Sequence, residues 1–348
     1  SLAPRPGASS TMLTHILILL GALVVLSVGA ELLVRGATAI ALRFGLSPLF
    51  VGLTIVGFGT SAPELAASVT ATTRGITDVS VGNVVGSNII NIALILGFTA
   101  LVRPITIAIS SIRHDLPWVA AIAVVPFAAI PLGMEVPRWM GIALVALMCV
   151  YLTLAYRRAR AAPAADNAVE KAALESVMDI QPNRRVIDTG WFNTVLVVGG
   201  LVCLIFGARF FVLSAVNLAR TWGMSELVIG LTVVAAGTSM PELVTSIVAA
   251  LRRTPDVVVG NIIGSCLFNM LGILGVSAIV GPQTIGRQVL WLDGPVLVVL
   301  SLALWPLIAT GGRMSRLEGA LLIAGYCAYV VVLIVFVPGW FPVAAATP

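Results

Sequence analysis

The sequence predicts an all-α polytopic membrane protein, with ten transmembrane helices arranged as two inverted five-helix repeats. Three features lead to this prediction: an apolar composition, a long internal duplication, and an excess of basic residues in alternate loops. Of the 348 residues, 59% are hydrophobic and 10% are charged, whereas a soluble domain is about one quarter charged. The apolar runs are continuous and do not alternate with polar residues, which excludes a transmembrane β-barrel.

Continuous apolar runs divide the chain into the predicted spans, since a helix that crosses the bilayer core needs about 20 apolar residues. Spans 1 and 6 exceed this length, which predicts that both are tilted. Spans 4, 5, 9 and 10 have no comparable polar residue at mid-depth and are expected to act as scaffold. The ten spans are residues 13–41, 47–73, 79–101, 115–133, 138–156, 191–219, 225–251, 257–280, 288–309 and 316–337.

The predicted domain order follows these spans. Residues 1–11 have no apolar region of their own and are interpreted as a leader or a vector-derived remnant. Residues 12–156 form the first five-helix repeat, and residues 191–348 form the second. Between them, residues 157–190 form a predicted cytoplasmic loop with a short helix at 166–179.

The internal duplication aligns without a gap. Residues 45–97 match residues 223–275 at a constant offset of 178 positions, with 27 identities in 53. Such identity is far above chance, so the chain consists of two related halves. Duplicated halves are common in secondary transporters.

The basic residues indicate how the halves are oriented. With the N-terminus placed on one side of the membrane, the segments of that side hold five Arg and Lys residues and those of the other side hold thirteen. The richer side is expected to be cytoplasmic, which places both termini outside and the central loop inside, in a prokaryotic inner membrane. Because each half has an odd number of spans, the second half enters the membrane inverted. The net charge of +5 therefore reflects topology and does not indicate a nucleic-acid partner.

The centre of the duplication is GTSAPELAAS at residues 59–68, with its copy GTSMPELVTS at residues 237–246. Pro63 has no N–H and its ring clashes with the preceding turn, so the helix is predicted to break there and free backbone carbonyls. A carboxylate at mid-membrane costs about 3 kcal/mol or more. Glu64 and its copy Glu242 are therefore predicted to have a function.

A second motif, GNVVGSNIIN at residues 82–91, repeats as GNIIGSCLFN at residues 260–269. Ser87 and Asn91 are four residues apart and share a helix face that can turn toward Glu64. The second copy has a cysteine where the first has an asparagine. Candidate pathway residues in the two motif pairs are Ser68, Ser246, Asn88 and Cys266.

Two further polar features leave alternatives open. Asn83 either belongs to the face that looks at the glutamate or caps a helix. Glu31 and Arg35 are one helical turn apart in span 1, where an ion pair would lower the cost of burying them. An ion pair is expected there in preference to an ion-ligand role.

The motifs together supply carboxylate, amide, hydroxyl and backbone oxygen atoms, with no histidine or thiolate at their centre. Such ligands suit Ca²⁺ or Na⁺ and argue against zinc and copper. The four cysteines show no CxxC spacing and predict neither a disulfide framework nor a zinc site. One Ca²⁺ neutralises two ionised glutamates, whereas Na⁺ does so only if at least two bind. A shared site that must be occupied to reorient gives exchange rather than leak.

The doubled motifs resemble the paired alpha-repeats of the sodium/calcium exchanger family, within the cation/calcium exchanger superfamily, and a prokaryotic member is expected. The resemblance implies an antiporter with a rigid eight-helix core, across which spans 1 and 6 slide to give alternating access. It also implies that Glu64 and Glu242 bind Ca²⁺ and Na⁺. The other implied ligands are Thr60, Ser61, Ser87 and Asn91, their counterparts Thr238, Ser239, Ser265 and Asn269, and backbone oxygens near Gly57 and Ala235.

Four positions bear on the counter-ion. Some potassium-dependent relatives carry Asp at one of the sites that here are Asn91 and Asn269, so exchange independent of K⁺ is expected. Proton-coupled relatives tend to carry a further acidic residue where this chain has Gly86 and Gly264, which favours Na⁺ over H⁺. A Ca²⁺/H⁺ antiporter, or an antiporter of another divalent cation, is the alternative.

Two other classes fit less well. A cation channel needs a continuous polar path, yet the polar residues cluster at mid-depth with apolar sequence on both sides. An intramembrane hydrolase needs a base near its serine, and His15 and His114 lie outside the duplicated motifs. We therefore expect no enzyme activity and no cofactor. The expected partners are Ca²⁺, Na⁺ and the lipid bilayer, with no nucleic acid and no protein partner evident.

Overall fold

Helices make up most of the described chain, in agreement with the composition. The computed structural model describes residues 8–106, 112–161, 190–222, 235–309 and 312–335. The helices are α1 (Ala8–Phe44), α2 (Leu49–Thr60), α3 (Ala62–Thr73), α4 (Thr77–Val102), α5 (Leu116–Leu132), α6 (Arg138–Ala161), α7 (Gly190–Thr221), α8 (Ala235–Thr238), α9 (Met240–Leu251), α10 (Pro255–Val280), α11 (Val289–Leu307) and α12 (Arg316–Val335).

Among the described residues, seven helices are long and apolar enough to cross a membrane, or eight if α2 and α3 count as one bent span. α5 and α9 are shorter apolar helices. Residues 8–11, which the sequence assigns to a leader, belong to α1. The helix predicted at 166–179 and the start of the seventh span, residues 225–234, lie outside the described residues. The structure confirms a helical membrane protein.

The second and seventh spans are both interrupted at a serine. α2 and α3 meet at Ser61 with a bend of 46°, and the backbone angles of Ser61 are φ −83° and ψ 7°. The junction of α8 and α9 at Ser239 has φ −87° and ψ 10°. Pro63 lies in the first turn of α3, where its missing N–H costs no helical hydrogen bond. Each break therefore leaves a glutamate, Glu64 or Glu242, in the first turn of the next helix.

The third and eighth spans each contain a wider, π-helical turn. These turns are Ile90–Ile95 in α4 and Phe268–Ile273 in α10. Asn91 and Asn269 are the second residues of the two turns. Single π-turns within α-helices occur frequently at functional sites, because they redirect the side chains that they carry.

α1 packs closely along α7 through glycines. A Cβ atom on Gly29 would lie 2.8 Å from Cβ of Cys203 and 2.9 Å from the carbonyl oxygen of Gly200. A Cβ atom on Gly200 would lie 2.6 Å from the backbone nitrogen of Leu33. The two backbones therefore approach at a distance that only glycine permits, as small residues allow in membrane helix pairs.

An ion-pair cluster joins α1 to the end of α9. Glu31 pairs with Arg35 one turn further along α1, and also with Arg252. The expected ion pair is confirmed. Arg252 extends it into a contact between two helices, with a partner that the sequence spacing alone did not identify.

Two short antiparallel sheets join the halves. β1 (Ile105–Thr106) pairs with β4 (Arg313–Met314), and β2 (Glu135–Val136) pairs with β3 (Gln283–Thr284). The 178-residue offset of the duplication relates β1 to β3 and β2 to β4. Each sheet therefore takes one strand from each half.

The scaffold spans contain a second pair of buried carboxylates, Asp115 and Asp293, near the starts of the fourth and ninth spans. The prediction for these spans concerned only polar residues at mid-depth. The Tyr151 hydroxyl donates to Asp115 over 3.1 Å, and the Tyr329 hydroxyl donates to Asp293 over 2.9 Å. The same offset relates the two pairs. Each tyrosine ties the fifth helix of its half to the start of the fourth, because a buried carboxylate needs a hydrogen-bond donor.

Candidate ion-binding site

The two helix breaks bring the duplicated glutamates to one buried place. Glu64 and Glu242 are each 1% exposed. The Ser61 hydroxyl donates to Oε1 of Glu242 over 2.9 Å, and the Ser239 hydroxyl donates to Oε1 of Glu64 over 3.4 Å. Each half thus supplies a hydrogen bond to the carboxylate of the other half. Among the described residues, neither glutamate has an ion-pair partner.

Four buried oxygen atoms of this site have no hydrogen-bond partner in the part of the chain that the structure describes. They are Oε2 of Glu64, Oε2 of Glu242, Oδ1 of Asn91 and Oδ1 of Asn269. Buried polar atoms nearly always have a partner, so unpaired ones call for an explanation such as a bound ion. Carboxylate and amide oxygens are the ligand types that a hard cation prefers.

The two asparagines of the π-turns have different neighbours. The Asn269 amide donates to Oδ1 of Asn88 over 2.9 Å, and the Asn88 amide donates to the carbonyl oxygen of Cys266 over 3.2 Å. The Cys266 thiol lies beside the side chain of Asn91 and is 1% exposed as a residue. Asn88 and Cys266, predicted as pathway residues, are therefore buried at the contact between α4 and α10.

Two hydroxyls connect α2 to α10 beside Glu242. The Thr60 hydroxyl donates to Oδ1 of Asn261 over 3.2 Å, and the Ser265 hydroxyl donates to the carbonyl oxygen of Gly57 over 3.2 Å. The Gly57 carbonyl also accepts the N–H of Ser61 over 3.2 Å. It therefore already has hydrogen-bond partners in this structure, unlike the four unpaired side-chain oxygens.

Asn83 and Asn261 bond to the backbone of the glutamates. The sequence left Asn83 as either a residue of the face that looks at Glu64 or a helix cap, and it did not single out Asn261. Asn83 donates to the Glu64 carbonyl over 3.2 Å and to the Ser68 hydroxyl over 2.9 Å. Asn261 donates to the Glu242 carbonyl over 3.3 Å and to Oγ of Ser246 over 3.0 Å. Asn83 lies inside α4 and does not cap it. The signal that could have found both residues is the repeated Gly-Asn pair, 19 positions after each glutamate.

For three further predicted ligands, Ser87, Thr238 and Ala235, the structure gives their positions in the helices. Ser87 is buried in α4, at 4% exposure. Thr238 ends α8 and is partly exposed. Ala235 begins α8, but its side chain is outside the described residues. Their roles as ligands stay predictions.

Comparison with known proteins assigns the chain to a family. The family model described as sodium/calcium exchanger protein matches residues 14–157 and 192–335. The chain belongs to the sodium/calcium exchanger family. The two matched segments correspond to the two halves of the duplication, so the family signature covers most of the described structure.

Individual proteins match this chain along nearly their whole length. The inner membrane protein YrbG of Escherichia coli (strain K12) is 34% identical over 92% of this chain and 97% of that protein. The sodium/calcium exchanger MaX1 of Methanosarcina acetivorans is 32% identical over 92% of this chain and 98% of that protein. A solved structure of the sodium-calcium exchanger NCX_Mj, soaked with zero Na⁺ and Ca²⁺, matches with a TM-score of 0.75 and 29% identity, over 93% of this chain and 99% of that chain.

Membership of the exchanger family places the protein among membrane-embedded cation/Ca²⁺ exchangers, a class of transporters and not of enzymes. Among the described residues, no group of three or more His, Cys, Asp or Glu side chains is arranged to hold a metal. The candidate site has only two carboxylates, with amide and hydroxyl oxygens around them.

Proposed function

We propose that this protein is a secondary antiporter that exchanges Na⁺ for Ca²⁺ by alternating access, electrogenically and without K⁺. The observation that carries the proposal is the set of four buried oxygens on Glu64, Glu242, Asn91 and Asn269 that have no hydrogen-bond partner among the described residues. Family membership supports cation/Ca²⁺ exchange. The choice of Na⁺ and the independence from K⁺ rest on the resemblance to relatives at Asn91, Asn269, Gly86 and Gly264, and the charge movement rests on the two carboxylates.

The charges of the site support exchange in preference to leak. Two ionised carboxylates buried without an ion-pair partner among the described residues are costly, so the empty site resists the step that would reorient it. One Ca²⁺ balances both charges. Sodium ions balance them only when two bind, and a third gives the loaded site a net positive charge. Exchange of three or more Na⁺ for one Ca²⁺ therefore moves charge across the membrane.

The proposed ligands divide into a core set and a supporting set. The core consists of Glu64, Glu242, Asn91 and Asn269, whose unpaired oxygens would contact the ions directly. The supporting residues are Thr60, Ser61, Ser87, Thr238, Ser239 and Ser265, together with the backbone oxygens of Gly57 and Ala235. Several of these hydroxyls now donate to protein oxygens, so they would exchange those partners for an ion as it binds.

The proposed architecture has ten helices in two inverted repeats, with both termini outside a prokaryotic inner membrane and the central loop in the cytoplasm. The twofold match of the family model and the offset that relates the strand pairs support two repeats. The glycine contact between α1 and α7 supports their movement as one unit against the other helices. Such a movement would expose the site to each side in turn.

Flux measurements in sealed vesicles test this function. Proteoliposomes loaded with Na⁺ should accumulate ⁴⁵Ca²⁺, whereas vesicles with only an outward-directed H⁺ gradient should not. With the potential clamped by valinomycin, an inside-positive potential should increase uptake, because each elementary charge moved is worth about 2.3 kcal/mol per 100 mV. Uptake driven by H⁺ alone would favour the Ca²⁺/H⁺ alternative. Uptake that requires no counter-ion would indicate a channel, and uptake that needs K⁺ at fixed potential would contradict the interpretation of Asn91 and Asn269.

A further inference from the structure

A pocket lies on the predicted cytoplasmic side, between the end of α4 and the turn that joins α9 to α10. Its volume is about 190 Å³, and Arg103, Ile105, Ala250, Arg253 and Val258 are among the residues that line it. The three apolar residues form buried walls, at 3%, 5% and 0% exposure. Arg103 is partly exposed and Arg253 is exposed. The pocket is therefore apolar inside and basic at its accessible rim.

The duplication relates this pocket to a second place in the structure, and that place is filled by polar side chains. The 178-residue offset relates Ile105, Ala250 and Val258 to Gln283, Thr72 and Ser80. There the Thr72 hydroxyl lies 3.3 Å from Oε1 of Gln283 and 3.3 Å from Oγ of Ser80. Gln283 and Ser80 are fully buried. One of the two places related by the duplication is thus filled by a hydrogen-bonded cluster, whereas the other has apolar residues at all three positions.

Both arginines of the rim also stand where the other half has glycine. The same offset relates Arg103 to Gly281 and Arg253 to Gly75. Gly75 has a φ of 74°, and Arg253 keeps nearly the same left-handed conformation at 60°. A non-glycine residue in this region is strained, and such strain tends to persist at functional positions. The chain therefore retains an arginine where its backbone favours glycine.

The arginines are available for an anion. Arg103 donates to the backbone carbonyl of Leu251 over 3.4 Å, which holds it at the rim. Among the described residues, neither Arg103 nor Arg253 forms an ion pair with a carboxylate. Two guanidinium groups can bind a phosphate with charge-assisted hydrogen bonds. They would repel a cation, so the pocket is not suited to be an entrance for Ca²⁺ or Na⁺.

We propose that this pocket binds an anionic phospholipid of the cytoplasmic leaflet. The lipid phosphate lies between Arg103 and Arg253, and the glycerol and first acyl carbons lie against Ile105, Ala250 and Val258. Anionic lipids are attracted to juxtamembrane basic residues on the cytoplasmic side. A soluble anion would use the two arginines but would leave the apolar walls uncovered, which favours the lipid.

Thermal unfolding of the purified full-length protein in detergent tests the proposal, because a ligand that binds the folded state raises Tm with its concentration. The probes are dihexanoyl phosphatidylglycerol, dihexanoyl phosphatidylcholine and inorganic phosphate. The variant Arg103→Ala with Arg253→Gly removes both charges and relieves the left-handed strain. Arg157→Ala with Arg160→Ala removes two exposed charges from the end of α6 and serves as the matched control.

Dihexanoyl phosphatidylglycerol should raise the Tm of the wild type and of the control equally. Its apparent affinity for the variant Arg103→Ala with Arg253→Gly should be about tenfold weaker. The other two probes should have little effect. Ala250→Leu fills the pocket and keeps the charges, and it should weaken lipid binding to a similar extent. This variant tests the proposal if the arginine variant does not fold. Unchanged affinity in either pocket variant, or equal shifts by phosphatidylcholine, would overturn the proposal. If inorganic phosphate alone raised the Tm as much as the lipid does, the pocket would be a phosphate site, and the proposal of a lipid site would also be overturned.

Discussion

The Ser61 hydroxyl donates to Oε1 of Glu242 over 2.9 Å, although the two residues are 181 positions apart. Ser61 is the residue at which its own span bends. The bend of one half is therefore bonded to the carboxylate of the other half. Ser239 and Glu64 make the reciprocal contact over 3.4 Å. These two contacts couple the position of each bend to the charge at the centre of the site.

Replacing Ser61 with alanine should weaken Ca²⁺ binding without abolishing transport. The variant loses a hydroxyl that is proposed to turn from Glu242 to the bound ion, and a polar contact to a charged group is worth about 1.5–3 kcal/mol, so the Ca²⁺ concentration for half-maximal uptake should rise about tenfold or more. Ser27→Ala is a suitable control, because Ser27 is exposed in α1 and bonds only the Leu23 carbonyl one turn back. Equal Ca²⁺ dependence in Ser61→Ala and Ser27→Ala would show that the contact has no part in binding.

Asn83 and Asn261 should act by positioning the glutamates. Asn83→Ala and Asn261→Ala each remove two hydrogen bonds, one to a glutamate carbonyl and one to a serine hydroxyl. We expect each variant to lose about 1–3 kcal/mol of unfolding free energy and to show a lower maximal rate of Ca²⁺ uptake. Asn217→Ala, a change in α7 outside these bonds, should alter neither quantity. Stability and uptake like those of the control would refute the positioning role.

The two Asp–Tyr pairs should differ in their sensitivity to loss of the hydroxyl. Asp115 also has Arg158 at 3.4 Å, whereas the further partner of Asp293 is the neutral amide of Gln288 at 3.2 Å. Tyr329→Phe should therefore lower the unfolding temperature more than Tyr151→Phe, because Asp115 keeps a cationic partner and Asp293 does not. The cost for Tyr329→Phe should be about 1–3 kcal/mol. A larger effect of Tyr151→Phe would contradict this account.

The ion-pair cluster at Glu31 should contribute to stability through both of its arginines. Glu31→Gln leaves Arg35 and Arg252 together without their anion, and should cost about 1–2 kcal/mol after allowance for their partial exposure. Adding Arg252→Gln should recover part of this loss, since one of the two facing charges disappears. Thermal unfolding of the two single variants and the double variant measures the coupling. Additive effects would mean that the two groups do not interact.

The sequence was sufficient for features that depend on local chemistry. Pro63 predicts a helix break, and in the structure the break lies two residues before the proline, at Ser61. Glu31 and Arg35 predict an ion pair through their spacing, and the pair is present. The duplication predicts two related halves, and the family model matches each of them. The orientation that the basic loops predict stays a prediction. These inferences need only residue types and distances along the chain.

Contacts between the halves could not be read from the sequence, because no local pattern specifies them. Nothing near Asn88 indicates that it accepts a hydrogen bond from Asn269, 181 positions away. Asn83 was ambiguous because an asparagine after a glycine is also typical of a helix end. Asp115 and Asp293 obey the same offset as the motifs, but their surroundings differ enough to hide the relation. Their roles became evident only when their tyrosine partners were seen.

Counter-ion-dependent ⁴⁵Ca²⁺ uptake by Glu64→Gln and Glu242→Gln tests the central claim most directly, since glutamine keeps the shape of the side chain and removes its charge. Both variants should fold with normal helicity and detergent elution, yet Na⁺-loaded proteoliposomes should show no uptake above empty liposomes, while the wild type accumulates Ca²⁺. Wild-type-like, Na⁺-dependent uptake by both variants would contradict a shared site built on the two carboxylates.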